Sequence, residues 1–281
     1  MVNSLRIFPE GERNCYTLKP REGKNQNYYV RAFFHYGNYD SQNQARIMFD
    51  LYIGVNHWTT VQGVQTIEQK YWITYEIIHY SVTDTIYVCL VNTGFGVPFI
   101  NGLDLLFMKD SPYRSMNGSL IPRLQADLGG HQPPGTIRYP DDVYARIWRL
   151  DFNLDDSVSN ISTEAITNID IQGSDNPCRL PVDVLKTAIA PGKLREFTIT
   201  LNGLYYGTFT LEYLKPLTIR PYTLQDQVRF SIDATLRSEL PPILNAFEIF
   251  ELWPLPDSPT NQTDDYWIEG FLRFDPSDPS S

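Results

Sequence analysis

The run His35-Tyr36-Gly37-Asn38-Tyr39-Asp40 sets two tyrosine rings beside an amide and a carboxylate. Tyr36 and Tyr39 can supply flat apolar faces, and Asn38 and Asp40 can supply hydrogen bonds, which is the chemistry of holding a ligand rather than of breaking a bond. The same text also describes a plain turn, closed by an Asx-type backbone bond, with its tyrosines packed on a neighbouring sheet. Both readings stand at this stage. His57 and Trp58, in VNHW, form a second patch of the same kind with the same two readings.

Groups that would do bond chemistry are missing from the pattern. There is no G-x-S-x-G, no HExxH and no glycine-rich phosphate loop, and the lysine-strand, HRD and DFG signatures of a kinase do not occur. The catalytic assignment is therefore none, and no cofactor is implied. Asp141–Asp142 and Asp264–Asp265 lie in polar, turn-like text and read as solvated acids. Asp104 and Glu248 make a poor dyad, because they occupy equivalent places in two copies of one repeat. The four histidines are scattered and no CxxC is present, so no metal site is expected.

Of three cysteines, Cys15 (NCYTL) and Cys89 (YVCLV) sit in strand-like text, and Cys178 is odd. The first two are either buried thiols or a cross-strand disulfide, and such a bridge would contribute roughly 4 kcal/mol in an oxidising compartment. Sequons at Asn117, Asn160 and Asn261 all fall in polar turn text, where a glycan is tolerated.

The elements that position these residues read as strands. YYVRAFFH (28–35), MFDLYIGV (48–55), YWITYEIIHY (71–80), DTIYVCLVNTG (84–94) and PFINGLDLLFM (98–108) are rich in β-branched and aromatic residues, and turn text separates them. Strands at such short spacing, with no helix-period stretch between them, indicate an antiparallel sandwich. PFINGLDLLF (98–107) then returns as PILNAFEIFE (242–251), with Asn101 matching Asn245 and Asp104 matching Glu248. A repeat at half the chain length means a duplicated domain, and 281 residues suffice for two cores. Asn101 and Asn245 read as structural groups that satisfy loop backbone.

The second copy follows the order of the first with one omission. REFTITLNG matches RIMFDLYIG and QVRFSIDAT matches TIYVCLVNT, but no counterpart of YYVRAFFHYGN precedes REFTITLNG. A substitute strand, a weakened domain, or an altered transcript or gene model would each explain the gap after Pro191, and the last is preferred. DDVYARIWRL (141–150), with Val143, Ile147 and Leu150, is read as a helical turn or docking segment.

The net charge of −10 argues against nucleic acid as a partner. Eighteen consecutive apolar residues occur nowhere, so no membrane span is expected, and the first 20 residues have no apolar signal-peptide core.

LRIFPEGERNCYTLKP, YYVRAFFHYGNYD, FDLYIGVNHW, EIIHYSVTDTIYVCLVNTG, PFINGLDL, DDVYARIW, LPVDVLKTAIAP and LPPILNAFEIFELWPL together resemble the malectin-like region of plant receptor-like kinases, above all those with leucine-rich repeats. The resemblance covers residues 4 to about 255 in order. It implies an all-β fold of two tandem malectin-type, jelly-roll-like antiparallel sandwiches outside the cell, the second lacking a strand or strand pair. Longer members carry a signal peptide and a Cys-bearing strand before FPEGERNCYTL, with leucine-rich repeats, a membrane helix and a kinase after it. This chain begins just ahead of that motif, and its text after LWPL departs from the pattern.

Animal malectin holds a glucose disaccharide with aromatic side chains on loops at one end of its sandwich, so the resemblance makes Tyr36, Asn38, Tyr39, Asp40 and Trp58 candidate ligand residues. The layout expected is a first sandwich over 1–110, a connection over 111–146, a second, incomplete sandwich over 147–253 and a flexible tail over 254–281. The function expected is non-catalytic binding of a cell-wall oligosaccharide at the outer face of the plasma membrane. The alternatives are a peptide or co-receptor ectodomain as partner, with no sugar site, or a truncated product without independent function.

Overall fold

Val, Ile, Tyr and Phe at alternate positions, broken by Gly, Asn and Pro, give strands rather than helices. The computed structural model describes residues 4–42, 46–63, 73–109, 113, 118–128, 141–149, 164–165, 178–181, 184, 186–187, 192–212, 215–219 and 229–254. Among these residues there is no helix, and hence none long and apolar enough to cross a membrane.

The strands are β1 (Arg6–Ile7), β2 (Arg13–Leu18), β3 (Gln26–Phe34), β4 (Met48–Ile53), β5 (Asn56–Gln62), β6 (Ile73–Ser81), β7 (Ile86–Phe95), β8 (Phe99–Ile100) and β9 (Gly102–Phe107). They continue as β10 (Gly118–Asp127), β11 (Glu164–Ala165), β12 (Lys186–Thr187), β13 (Arg195–Leu201), β14 (Leu204–Leu211), β15 (Phe230–Ala234) and β16 (Ala246–Pro254). The chain divides into two compact units, Met1–Ile121 with Leu252–Ser281, and Pro122–Glu251.

The first unit holds two antiparallel sheets. One is ordered β2-β7-β4-β5; the other runs β9-β3-β6 and on to β10, where Leu120 faces Ile78. Short β1 pairs with β8, placing Arg6 opposite Ile100. Period-two alternation in β4 turns Phe49, Leu51 and Ile53 inward, at 0–2% exposure, and leaves Met48, Asp50 and Tyr52 outward. Val88 and Leu90 of β7 and Trp58 and Val61 of β5 join them against Tyr28, Val30, Ala32 and Phe34 of β3. That continuous apolar layer is the core of the unit.

In the second unit the sheet is ordered β14-β13-β15, and β11 pairs with β12. Asn202 (φ 50) and Gly203 (φ 79) close the β13–β14 hairpin with two left-handed residues, the geometry that a two-residue turn of this hand requires. Residues 122–127 of β10 and 246–251 of β16 also lie in this unit.

Two expectations are revised. Residues 118–127, inside the stretch read as a connection, form strand β10. Pro122 within it and the Pro-Gly-rich text on either side disguise the strand. Residues 141–149 make a turn and then a bridge between Arg149 and Ala126 instead of a helical turn. Asp142, Tyr144, Arg146 and Trp148 are all buried, which is a period of two and not of 3.6.

Candidate functional site

The loop after β3 is built by its own side chains. Gly37 (φ 56) and Asn38 (φ 51) reverse the chain, and Ser41 N donates to Asn38 O at 3.1 Å. The Tyr36 hydroxyl donates to the Asp40 carboxylate and reaches Asn38 Oδ1 at 3.4 Å. Asp40 Oδ1 also accepts from Gln42 N at 3.2 Å. At the base of the loop, Asn101 Oδ1 accepts from His35 N at 2.7 Å while Asn101 Nδ2 donates to Ser4 O at 3.3 Å. The repeat's landmark asparagine thus ties two backbone segments together.

Tyr36 is only 2% exposed, and its ring packs against Phe99 at 6.2 Å. Tyr39 stands edge-on to Tyr36 at 5.4 Å and stays 37% exposed. Partial burial, and then the Asp40 charge, push the Tyr39 hydroxyl pKa upward, so it remains a protonated donor. The sequence therefore brings Tyr36, Asn38, Tyr39 and Asp40 into one loop but offers one ring of the two to solvent. Tyr36 packs on the core, as the second of the two readings of this loop has it, and Tyr39 is the more open ring. Trp58 is 4% exposed; it lies at the irregularity where Leu51 faces Thr59 and Tyr52 faces His57, and packs into the core.

What VNHW leaves outside is polar. His57 Nε2 lies 3.3 Å from Asp50 Oδ1, Thr60 Oγ1 donates to the same oxygen at 2.7 Å, and the His57 ring meets Tyr52 at 5.3 Å. The Arg13 guanidinium sits 4.8 Å from the Tyr52 ring centre. In the register row of Tyr52 itself, Cys15 lies opposite Cys89 with the sulfurs 2.07 Å apart, a disulfide between β2 and β7. The sequons at Asn117, Asn160 and Asn261 lie outside the described residues, as do Asp264 and Asp265.

Two buried polar clusters were not legible as such. On β3 and β6, Arg31 Nε donates to Glu76 Oε1 at 2.5 Å, with the Tyr29 ring 5.2 Å from the Arg31 guanidinium. Burial, chiefly, and the neighbouring Glu76 charge raise the Tyr29 hydroxyl pKa. In the second unit Asp142, read from sequence as solvated, is fully buried. Asp142 Oδ2 accepts from Arg146 Nε at 2.9 Å and from Trp148 Nε1 at 2.7 Å, and Oδ1 accepts from Tyr144 N at 2.8 Å. Arg146 also lies 3.7 Å from Glu248 Oε2, and Gln125 Nε2 donates to Glu248 Oε1 at 3.2 Å. The signal available was the D-x-Y-x-R-x-W spacing, which puts all four on one side of an extended chain. Asp104, by contrast, is exposed on β9, so Asp104 and Glu248 share no environment.

Antiparallel sheets facing one another across an apolar core, with a polar loop at the end of one of them, define an all-β sandwich fold. The particular family follows from the match of residues 1–194 and 191–252 to the malectin-like domain: this chain belongs to the malectin-like family. Its relatives include a probable leucine-rich-repeat receptor-like serine/threonine-protein kinase of Arabidopsis thaliana, 36% identical over 300 residues that cover 94% of this chain and 34% of the relative. Another is the probable leucine-rich-repeat receptor-like kinase MEE39 of the same plant, 33% identical over 92% of this chain and 32% of its own length. The chain thus spans about a third of the curated relatives it matches.

Among solved structures it is similar in fold to the plant receptor-like kinase FER (TM-score 0.59, 18% identity, 88% of this chain and 81% of that one). It is similar also to the receptor-like kinase ANX1 (TM-score 0.61, 12% identity, 88% and 84%). A third structure holds FER with the plant peptide RALF23 and with LLG2 (TM-score 0.50, 17% identity, 73% and 68%). At these identities the likeness concerns the fold alone.

Proposed function

We propose that this chain is the ligand-receiving, extracellular region of a receptor-like kinase and that it binds a peptide or protein partner. The observation that carries this reading is the burial of Tyr36 and Trp58 at 2% and 4% exposure. A sugar clamp needs open ring faces, and two of the three aromatic candidates spend theirs inside the core. The FER relative, crystallised with a peptide and a second protein, supports the same reading by analogy.

The test is titration of the purified chain with partners captured from plant plasma-membrane extract and then purified singly. Saturable binding of one peptide or ectodomain is the expected result. A glycan array that yields a specific oligosaccharide, with no saturable protein partner, overturns it.

A second reading keeps a cell-wall oligosaccharide at the loop after β3. It rests on Tyr39, 37% exposed beside Asn38 and Asp40. Under it, Tyr39→Ala abolishes an array signal while leaving the melting temperature within a degree or so, since a surface side chain contributes about 0.5 kcal/mol or less.

A further inference from the structure

Strands β7 and β15 occupy the same place in their sheets. After the β4 turn, Gly54 N donates to Tyr87 O at 2.8 Å; after the β13 turn, Asn202 N donates to Arg229 O at 2.7 Å. Counting on from these bonds matches Val88 with Phe230, Cys89 with Ser231, Leu90 with Ile232 and Val91 with Asp233. At its far end β15 is held the same way, Thr235 N donating to Glu196 O at 3.1 Å. Antiparallel pairing alternates, so the residues between these bonded positions turn their N–H and C=O to the other edge. Those residues are Phe230, Ile232 and Ala234.

The same edge of β7 is covered. There Asn92 N donates to Glu12 O at 2.8 Å, and β2 runs antiparallel with Asn14 opposite Leu90 and Tyr16 opposite Val88. Beside β15 no strand pairs among the described residues, and four of its five residues are exposed. The sheet's two faces are distinct. Rows Phe209–Phe197–Ala234, Gly207–Ile199–Ile232 and Leu204–Leu201–Phe230 make one face apolar, with Leu204 75% and Phe230 38% exposed. On the other face Glu196 is ringed by the Thr210 and Thr235 hydroxyls, and Asp233 accepts from Ser231 Oγ at 2.8 Å. Those hydroxyls hold the Glu196 carboxyl below its usual range, so it stays ionised.

We propose that the open edge of β15 is a docking site for an extended segment of a partner polypeptide, which adds antiparallel as β2 does beside β7. Such a segment carries apolar side chains at alternate positions over Phe230 and Ile232 and a cationic side chain opposite Asp233. The occupant is specified by the molecule's own first unit, by the two acids Glu196 and Asp233 on the polar face and by the chain's net charge of −10. Free strand edges pair readily with an added strand, main-chain bonds giving affinity and alternate side chains giving selectivity. The inference rests on the protein-partner reading above and names where that partner binds.

The probe is a synthetic peptide copying residues 11–20 of this chain with Asn14→Val, which supplies the apolar side chain over Ile232, and with Cys15→Ser. Laid on β15 in the β2–β7 register, it places Arg13 opposite Asp233 and Tyr16 opposite Phe230. Labelled peptide titrated into the full chain is expected to bind saturably and to slow amide exchange at Phe230, Ile232 and Ala234. Asp233→Lys is expected to weaken binding about tenfold, and a peptide with Arg13→Glu to restore it on that variant. Three results overturn the proposal. One is an absence of binding. Another is protection of those three amides in the peptide-free monomer, which means that the chain covers its own edge. The third is protection that rises with protein concentration alongside a dimer in sedimentation, which makes a second copy the occupant. A natural partner that binds the Asp233→Lys chain as tightly as the parent also overturns this site, and it leaves the protein-binding function standing.

Discussion

Phe49, Leu51 and Ile53 on β4 are 0–2% exposed, whereas of their counterparts Phe197, Ile199 and Leu201 on β13 only Phe197 is buried, at 3%. Local text is nearly the same in both hairpins: an apolar alternation, a glycine turn and a returning strand. The difference lies in what faces them. β4 has β2 beyond β7 and an entire second sheet, with β3 at its centre, across the core; β13 has two neighbours and, among the described residues, no counterpart of β2 or β3, although the Phe247 ring of β16 meets Phe230 at 5.5 Å. The burial of an alternating strand is therefore decided by the opposite layer.

Removing Asp142 tests how the second unit is held with so thin a sheet. Asp142→Ala leaves the Trp148 indole N–H without its acceptor and the buried Arg146 guanidinium with Glu248 as its remaining carboxylate, and should cost about 3 kcal/mol. The melting of the second unit reports it; a loss under about 1 kcal/mol would mean that the cluster is incidental. With an effect of similar size, Cys89→Ser opens the tie across 74 residues and should cost about 2–5 kcal/mol. Only the first unit is expected to move, because Ser231 already stands at the matching place on β15. A uniform shift of both units would break the comparison.

Leu51→Ala against Ile199→Ala sharpens it further. The first empties a fully buried site, for about 3 kcal/mol, and the second a half-exposed one, for about 1 kcal/mol. Equal losses in chemical denaturation would show that the second sheet is covered in solution. The last expected effect is a pH dependence of the first unit. Burial holds the His79 imidazole pKa down to about 4, and His79 Nδ1 lies 3.0 Å from Ser119 Oγ. Between about 6.5 and 4 the unfolded chain binds more protons than the folded one, so stability falls as pH drops through that window. A melting curve should lose a few degrees there, and His79→Gln should flatten the slope.

Much of this was legible along the chain. β3, β4, β6, β7 and β9 were readable from β-branched and aromatic runs between turns, and the doubling from PFINGLDLLF and PILNAFEIFE. β10 was not, since Pro122 and the polar text around it mask a strand whose pairing comes from β6, about forty residues earlier. In the candidate loop, residue types pointed to Tyr36, Asn38, Tyr39 and Asp40, but alternation alone could not say which ring packs on Phe99.

What the sequence by itself determined is local and periodic: which segments are extended, where the chain turns, that the unit occurs twice, and the family to which the text belongs. Tertiary structure alone decided which side chains those strands conceal. It turned Tyr36 and Trp58 inward, gathered Asp142, Arg146 and Trp148 into one buried cluster, and, among the described residues, left the edge of β15 without a paired strand. Burial and strand pairing depend on residues far apart in the chain, so no window of sequence contains both sides of the contact.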